Sequence, residues 1–359
     1  MPSRFDLTPE DFAALLADEP GYRVRQVWRG LHQGRDPREM TDLPGPLRQR
    51  LALELPAPLT LLRKSVSDGG DTVKWLWGLA DGAAVETVLM HYPRRSTVCI
   101  SSQAGCAMGC TFCATGQAGF TRHLTAGEIV EQVVRAQTGL GRRAQTERAT
   151  AAGGAGAPPC GGGGDGGPRR VTNIVYMGMG EPLANYGPVW ASVERLHHDV
   201  GFSARHLTIS TVGVVPGIHR LAAEALPVNL AVSLHAANDA LRDTLVPLNR
   251  RYPLAEVVEA CRAYQAAKGR RLSFEWALID GVNDRHADAA ELSAIARPLG
   301  AHVNLIPLNP TPGYPTRGTP ASGVRMFRDW LVAAGVNATI RRNRGTAIDA
   351  ACGQLAARH

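Results

Sequence analysis

The chain has 359 residues, a formal net charge of +7 and an isoelectric point near 9.2. Its hydrophobic content of 44% and charged content of 20% are those of a globular protein. No apolar run reaches the length of a membrane span, and the N-terminus lacks the apolar core of a secretion signal, so we expect a cytoplasmic protein without a membrane partner. Seven cysteines are too few and too unevenly placed for a disulfide framework, which favours metal or redox chemistry.

The length predicts one large domain and a smaller one. Nearly all the positive charge is arginine, since only Lys64, Lys74 and Lys268 are lysines. Arginine pairs with phosphates and stacks on bases, so this bias favours a nucleic-acid partner. A GC-rich genome explains the same bias equally well.

Residues 1–55 are predicted to form a small helical module. Thr8 is a helix cap followed by Pro9 in the first turn, and a second helix is predicted over Tyr22–Leu31. This helix also carries a basic rim, made of Arg23, Arg25 and Arg29. The rim is either a solvated face or a contact for RNA.

Residues 56–98 are predicted to be short strands that lead into a cysteine-rich loop. The Asp-Gly-Gly of 68–70 lies between two alternating runs and predicts a hairpin. Glu86 lies within a third strand, among apolar neighbours. Such a glutamate is either on the solvent face or a buried base with a raised pKa.

Residues 99–345 alternate between strand and helix patterns, which predicts parallel strands joined by right-handed crossovers. About six such units favour an α/β fold with a partial (β/α)6 barrel, and ligands are expected at the carboxyl ends of the strands. Residues 139–170 are rich in glycine, alanine and proline and predict a flexible insertion in this barrel. A short tail, residues 346–359, follows.

Three cysteines in the spacing C-x3-C-x2-C, namely Cys106, Cys110 and Cys113, mark the centre of the chain's chemistry. A structural zinc needs four protein ligands, whereas a 4Fe-4S cluster held by three thiolates leaves one iron open. The triplet therefore favours a cluster. The alternatives are a zinc knuckle that takes a fourth ligand such as Cys99, and three unrelated buried thiols.

Small or polar residues follow several predicted strands, at the edge where a barrel collects its ligand contacts. Gly178 to Pro182, with the sequence GMGEP, follow one strand and place Glu181 at its end. The others are Ser210, Ser233, Leu234, His235 and Asn309. In the tail, Cys352 stands among alanine and glycine residues; it is either an incidental thiol or one that reaches the active site and pairs with Cys99.

The triplet resembles that of the radical S-adenosylmethionine (SAM) superfamily, and GMGEP resembles its segment that binds the SAM amino group. A set of longer motifs resembles the RlmN/Cfr family, the radical SAM methyl synthases of RNA adenine. These motifs are STVGVVPGI, SLHAAND, LRDTLVPLNRRYPL, HVNLIPLNP and RGTAIDAACGQLA, together with Cys99, the triplet and GMGEP. The resemblance spans nearly the whole chain and lapses in the glycine-rich insertion.

The resemblance implies a radical SAM barrel with an N-terminal RNA-binding module, a 4Fe-4S cluster on the triplet, and two SAM molecules per turnover. Cys352 would take a methyl group from the first SAM, and Cys99 would release the product by forming a disulfide with Cys352. Glu86 would be the proton acceptor, a role that Cys99 could also fill. The implied SAM contacts are Gly180, Glu181, Ser210, Ser233, Leu234, His235 and Asn309.

The implied substrate is an adenosine of 23S rRNA near the peptidyl-transferase centre, methylated at C2, and some relatives also methylate the adenosine 3′ of the tRNA anticodon. An electron donor such as flavodoxin and a monomeric enzyme are expected. One alternative is the Cfr-type branch, which methylates C8 and confers antibiotic resistance. The sequences of the tail and of the strand ends are closer to the branch that methylates C2. The alternative from another class is a non-catalytic, metal-containing RNA-binding protein.

Overall fold

The computed structural model describes residues 3–153 and 170–357, except 310, 312, 313, 315, 316, 342, 343 and 352. Of 141–153 it describes the backbone alone. Cys352 therefore lies outside the described residues, as do 154–169 of the glycine-rich segment.

The described residues of the N-terminal module form the helices α1 (Pro9–Leu15), α2 (Tyr22–His32) and α3 (Gly45–Glu54). The predicted cap of α1 is confirmed, because the Thr8 hydroxyl accepts the Asp11 N–H while the Asp11 carboxylate accepts the Thr8 N–H. The predicted α2 is confirmed as well. Its apolar face buries Val27 and Leu31 in the core.

An antiparallel section follows, made of β1 (Thr60–Ser67), β2 (Thr72–Gly78), β3 (Ala84–Tyr92) and β4 (Arg95–Cys99). The turn of 68–70 joins β1 to β2, which confirms the predicted hairpin. Its Asp68, Gly69 and Gly70 all have positive φ, the conformation that aspartate and glycine tolerate best.

The cysteine loop comes next and is held by a small hairpin of β5 (Gln103–Gly105) and β6 (Phe120–His123), with the short helix α4 (Ala114–Gln117) inside it. At Gly105, φ is +75°, and an added Cβ would lie 2.0 Å from the Gly119 carbonyl oxygen. Only glycine therefore allows the two strands to approach this closely.

The rest of the chain alternates between helix and strand, as predicted. The elements are α5 (Ala126–Gly153), β7 (Asn173–Tyr176), α6 (Tyr186–His198), β8 (Leu207–Thr211), α7 (Val215–Ala223), β9 (Asn229–Ser233), α8 (Asp239–Leu245), α9 (Leu254–Lys268), β10 (Leu272–Leu278), α10 (His286–Ala296), β11 (His302–Pro307), α11 (Ala321–Ala333) and β12 (Ala338–Ile340).

One ten-stranded sheet has the order β1-β2-β3-β4-β7-β8-β9-β10-β11-β12. From β4 onward every neighbouring pair is parallel, so the described residues place six helical connections among these parallel strands. This confirms the partial (β/α)6 barrel. Strands β1 to β3 extend the same sheet in the antiparallel sense.

The boundary predicted for the insertion needs correction. Helix α5 continues to Gly153, so 139–153 are helical rather than part of an irregular segment. Alanine, arginine, glutamine and glutamate dominate 142–151, and these are strong helix formers. Among the described residues, no helix combines the length and the apolar composition that crossing a membrane requires.

Candidate active site

The three cysteines of the triplet line one cavity, which we call the central cavity, at the carboxyl ends of the parallel strands. The Cys106 N–H donates to the Gly119 carbonyl (2.7 Å), and the Cys113 N–H donates to the Cys110 carbonyl (3.2 Å). Cys113 also caps α4. Backbone hydrogen bonds thus hold the loop in a shape that presents all three thiols to the cavity.

The electrostatics of these thiols fit a metal cluster. Burial raises the pKa of Cys106 to about 12, opposed by a hydrogen bond from the Met108 backbone. Burial also raises the pKa of Cys110, and negative charge on Cys113 and Cys106 raises it further. Three thiolates at these positions therefore need positive charge between them, which bound iron supplies.

Within the described residues, no three histidine, cysteine, aspartate or glutamate side chains are placed to hold a single metal ion. A 4Fe-4S cluster is larger than one ion and is bound through separate irons. The three thiols line a common cavity, from which each could bind a separate iron.

Glu181 lies in the segment that follows β7 and lines the central cavity. Its carboxylate accepts N–H groups from Val212 (2.8 Å) and Leu183 (3.0 Å), and its own N–H donates to the Gln103 side chain (2.7 Å). Burial raises the pKa of Glu181 to about 7, while the hydrogen bonds from Val212 and Leu183 lower it. A buried carboxylate in this setting is suited to pair with an ammonium group.

The glycines of the GMGEP segment line the central cavity and also pack closely against neighbouring residues. An added Cβ on Gly178 would lie 2.7 Å from the Ile100 backbone, and one on Gly180 would lie 2.5 Å from the Gln103 Cβ. Gly180 also has a φ of +98°. The close approach is therefore to the chain segment that leads into the cysteine loop, and it fastens Glu181 beside that loop.

Four of the predicted strand-end residues, Ser210, Ser233, His235 and Asn309, line the same cavity. Leu234 does not: its side chain is buried in the core, its N–H donates to the Glu275 carbonyl and its carbonyl accepts from Arg242. A contact between Leu234 and SAM stays a prediction.

His235 has a defined proton position. Its Nδ1 accepts the Ala277 N–H (3.0 Å), so the proton of the neutral ring resides on Nε2. Burial, aided by the charge of Arg242, lowers the pKa of His235 to about 3. The ring packs edge-to-face on Phe112 of the cysteine loop, with centroids 4.7 Å apart. His235 is therefore a neutral N–H donor linked to that loop.

Three charged residues at this site, of which Glu275 and Arg242 are buried and Arg341 is half-buried, were not predicted from the sequence. Glu275 and Arg341 line the cavity and form an ion pair at 4.0 Å, while burial raises the pKa of Glu275. Arg242 is fully buried and donates to the carbonyls of Val212 (2.6 Å) and Leu234 (3.1 Å). The signal in the sequence is a charged residue within an apolar strand for Glu275, and a charged residue within the LRDTLVPLNRRYPL motif for Arg242.

Cys99 and Glu86 are not among the described residues that line the central cavity. Cys99 ends β4 and is buried. Glu86 on β3 is only 1% exposed, which rules out the solvent-face alternative, and it forms a 2.8 Å ion pair with Lys74. Cys352 lies outside the described residues, but its neighbours Gly353 and Leu355 line the cavity.

The fold and the cavity define a radical SAM protein, and residues 166–292 match the family model for the radical SAM superfamily. That match begins beyond the cysteine loop. A crystal structure of a radical SAM methyltransferase from Sphaerobacter thermophilus is similar over all of both chains, with a TM-score of 0.88 and 48% identity.

Two curated relatives show which family of the superfamily the chain belongs to, and both are named "Probable dual-specificity RNA methyltransferase RlmN". The one from Parafrankia sp. (strain EAN1pec) is 54% identical over 323 residues, which cover 89% of this chain and 80% of the relative. The one from Chloroflexus aurantiacus is 50% identical over 368 residues, which cover 99% and 93%. The chain belongs to the RlmN family of radical SAM enzymes.

Proposed function

We propose that the chain is a SAM-dependent RNA methyltransferase that methylates C2 of an adenosine in 23S rRNA, and also the adenosine 3′ of the anticodon in tRNA. One observation carries the proposal: a single cavity is lined by Cys106, Cys110 and Cys113, by all the predicted SAM contacts except Leu234, and by residues of the C-terminal tail. The names of the relatives support RNA as the substrate.

Cys106, Cys110 and Cys113 would hold the 4Fe-4S cluster, and the buried carboxylate of Glu181 would pair with the SAM amino group. When bound, the cluster supplies the electron that cleaves SAM to a 5′-deoxyadenosyl radical. The Nε2–H of His235 points to a role as hydrogen-bond donor, and Ser210, Ser233 and Asn309 would complete the SAM contacts. Gly180 would act by placing Glu181.

The chemistry needs a radical route because adenine C2 is electrophilic and cannot displace a methyl group from SAM. Cys352 would accept a methyl group from one SAM as a thioether, and this methyl would then give up a hydrogen atom to the radical. The resulting carbon radical would add to C2, and the adduct would lose the C2 proton and one electron, which the oxidised cluster would take back. Attack of the Cys99 sulfur on the Cys352 sulfur breaks the carbon–sulfur bond and leaves a disulfide, while the methyl carbon takes up a proton.

Two groups are candidates for the acceptor of the C2 proton, Glu86 and Cys99. They occupy one face of the antiparallel section, because Val88 stands opposite Cys99 and Glu86 is two residues before Val88. The basic rim of α2, at Arg23, Arg25 and Arg29, would contact RNA phosphates. An electron donor such as flavodoxin, a monomeric state and a cytoplasmic location complete the proposal.

Product analysis tests it. The reconstituted enzyme is incubated without oxygen with SAM, a reductant and an rRNA fragment, and the digested RNA is analysed by mass spectrometry. We expect methyl at C2 from the wild type and from Cys261→Ala, a control that removes a buried thiol in α9, and none from Cys352→Ala. Product at C8 would assign the protein to the Cfr-type branch instead. SAM cleavage without RNA methylation would refute the proposed RNA substrate.

A further inference from the structure

A buried ion pair lies beside the active site without lining its cavity. Lys74 on β2 and Glu86 on β3 are joined at 2.8 Å, and their side chains are 7% and 2% exposed. Leu76 stands opposite Glu86 and Lys74 is two residues before Leu76, so the two charged side chains are diagonal neighbours on one face. Burying both charges costs desolvation free energy, which their attraction alone offsets poorly.

Both members of the pair also bind the C-terminal tail. The Lys74 ammonium donates to the Asp349 carbonyl (3.1 Å). The second carboxylate oxygen of Glu86 accepts the N–H groups of Ala356 (3.0 Å) and Ala357 (3.4 Å). One ion pair therefore holds the tail at two places, before and after residue 352.

The tail between these anchors is fastened to the cysteine loop. The Gly353 carbonyl accepts the Ala114 N–H (2.8 Å), and the Leu355 carbonyl accepts the Thr115 hydroxyl (2.5 Å). Ala114 directly follows Cys113 of the triplet. The described residues after 352 are thus fixed relative to the cluster loop, and those on both sides of 352 are fixed relative to the antiparallel strands.

We propose that Lys74 and Glu86 are positioning residues that clamp the C-terminal tail over the central cavity. The clamp turns a tail of small residues, which would otherwise sample many conformations, into one bound arrangement. Both carboxylate oxygens of Glu86 are used in it, one by Lys74 and one by the tail. The inference rests on the proposed function only for what the tail then does, which is to deliver Cys352.

The first test measures hydrogen exchange in the tail of the full-length, cluster-loaded protein. A double variant, Lys74→Met with Glu86→Leu, removes both charges together and so leaves no unpaired buried ion. We expect exchange of the Ala356 and Ala357 amides to rise about tenfold, the effect of losing one or two net hydrogen bonds. The Arg4→Met variant is the control: it breaks a similarly buried ion pair with Glu131 that does not touch the tail, and it should leave tail exchange unchanged.

The second test separates positioning from proton transfer. Glu86→Gln keeps an oxygen that can accept the tail N–H groups but cannot take up a proton. This variant should therefore retain the tail's protection from hydrogen exchange, and the double variant should lose that protection. For RNA methylation, the double variant should lower kcat about 10- to 100-fold, the effect of a misplaced reacting group, with the KM for RNA unchanged. The single variant Lys74→Met should also lower kcat, whereas Lys74→Arg, which keeps the positive charge, should retain most of the wild-type kcat.

Unchanged tail exchange in the double variant would overturn the clamp even if the wild type methylates RNA. Loss of tail protection together with a wild type that never methylates RNA would keep the clamp and refute the proposed function. A Glu86→Gln enzyme that keeps its tail protection yet stalls with RNA bound covalently to Cys352 would contradict a role limited to positioning.

Discussion

At the residue scale, the cysteines of this chain differ in their surroundings rather than in their burial. Cys110 and Cys261 are both buried, and burial raises the pKa of each thiol. Cys110 also lies within electrostatic reach of two further thiols at a cavity, whereas the thiol of Cys261 is packed in the hydrophobic core. Only the first setting can hold a metal cluster.

A measurement of iron content therefore distinguishes the role of Cys110 from that of Cys261. After anaerobic reconstitution, the wild type and Cys261→Ala should each bind about four iron atoms and show the broad absorbance of an iron–sulfur cluster. Cys110→Ala should lose most of both, because two thiolates leave two irons without protein ligands. Full iron content in Cys110→Ala would refute the assignment of the triplet.

The lowered pKa of His235 predicts that the unfolding free energy depends on pH. Its folded pKa of about 3 lies below the ordinary value of 6.5, so the unfolded state binds more protons between these values. The stabilisation is complete above pH 6.5 and is lost as pH falls toward 3. Lowering the pH from 7.5 to 5.5 should therefore reduce the unfolding free energy of the wild type by about 1 kcal/mol through this group.

Urea denaturation of the cluster-free protein at the two pH values measures this loss. His235→Gln should lose less stability than the wild type over the same interval, since glutamine does not titrate. Equal losses in both proteins would show that His235 takes up a proton as easily when folded as when unfolded.

Residue types and spacing allowed the cavity-lining residues to be predicted, because parallel strands bring their carboxyl ends to one edge. Glu275 and Arg341 were missed, since a charged residue in an apolar strand does not reveal its partner. Leu234 was included through its neighbours in the motif, whereas strand alternation turns its side chain away from the cavity. The tail contacts of Glu86 join residues about 270 positions apart, and no local pattern encodes them.

At the element scale, the N-terminus of α5 joins the helical module to the barrel. Thr125 and Glu128 form a capping box there, because they exchange side-chain to backbone hydrogen bonds. Asp6 of the module adds to it: its carboxylate accepts the Gly127 N–H (2.6 Å) and the Thr125 hydroxyl (2.9 Å). A negative charge at this end of a helix is also favourable.

Asp6→Ala should therefore lower the unfolding free energy by about 1–2 kcal/mol, the usual effect of losing a helix cap. Asp18→Ala, which removes an exposed partner of Arg50, is the control and should have a smaller effect. Chemical denaturation followed by circular dichroism measures both. An equal or larger loss for Asp18→Ala would contradict the role given to Asp6.

The elements themselves could be predicted because each repeats a short apolar period, and the order of strands and helices fixed the fold class. The end of α5 was placed too early because glycine and alanine were weighed together. Alanine favours a helix and glycine opposes it, so the helix continues through the alanine-rich part.

At the scale of the whole molecule, the antiparallel strands and the barrel serve one site from two sides. The barrel supplies the cavity, and β2 and β3 hold the tail that closes it. Further contacts secure the tail at its start, where the Gly345 N–H donates to Asp68 in the β1–β2 turn (2.9 Å) and Arg344 pairs with Asp71 (3.2 Å). The section before the cysteine loop thus belongs functionally to the active site.

Isotope labelling shows whether the methyl group passes through the tail cysteine by a radical route. The enzyme is supplied with SAM carrying a fully deuterated methyl group, and the products are analysed by mass spectrometry. We expect methyladenosine with two deuterium atoms in the methyl group and one deuterium in 5′-deoxyadenosine. An RNA methyl group that keeps all three deuterium atoms would show direct displacement from SAM and refute transfer through Cys352.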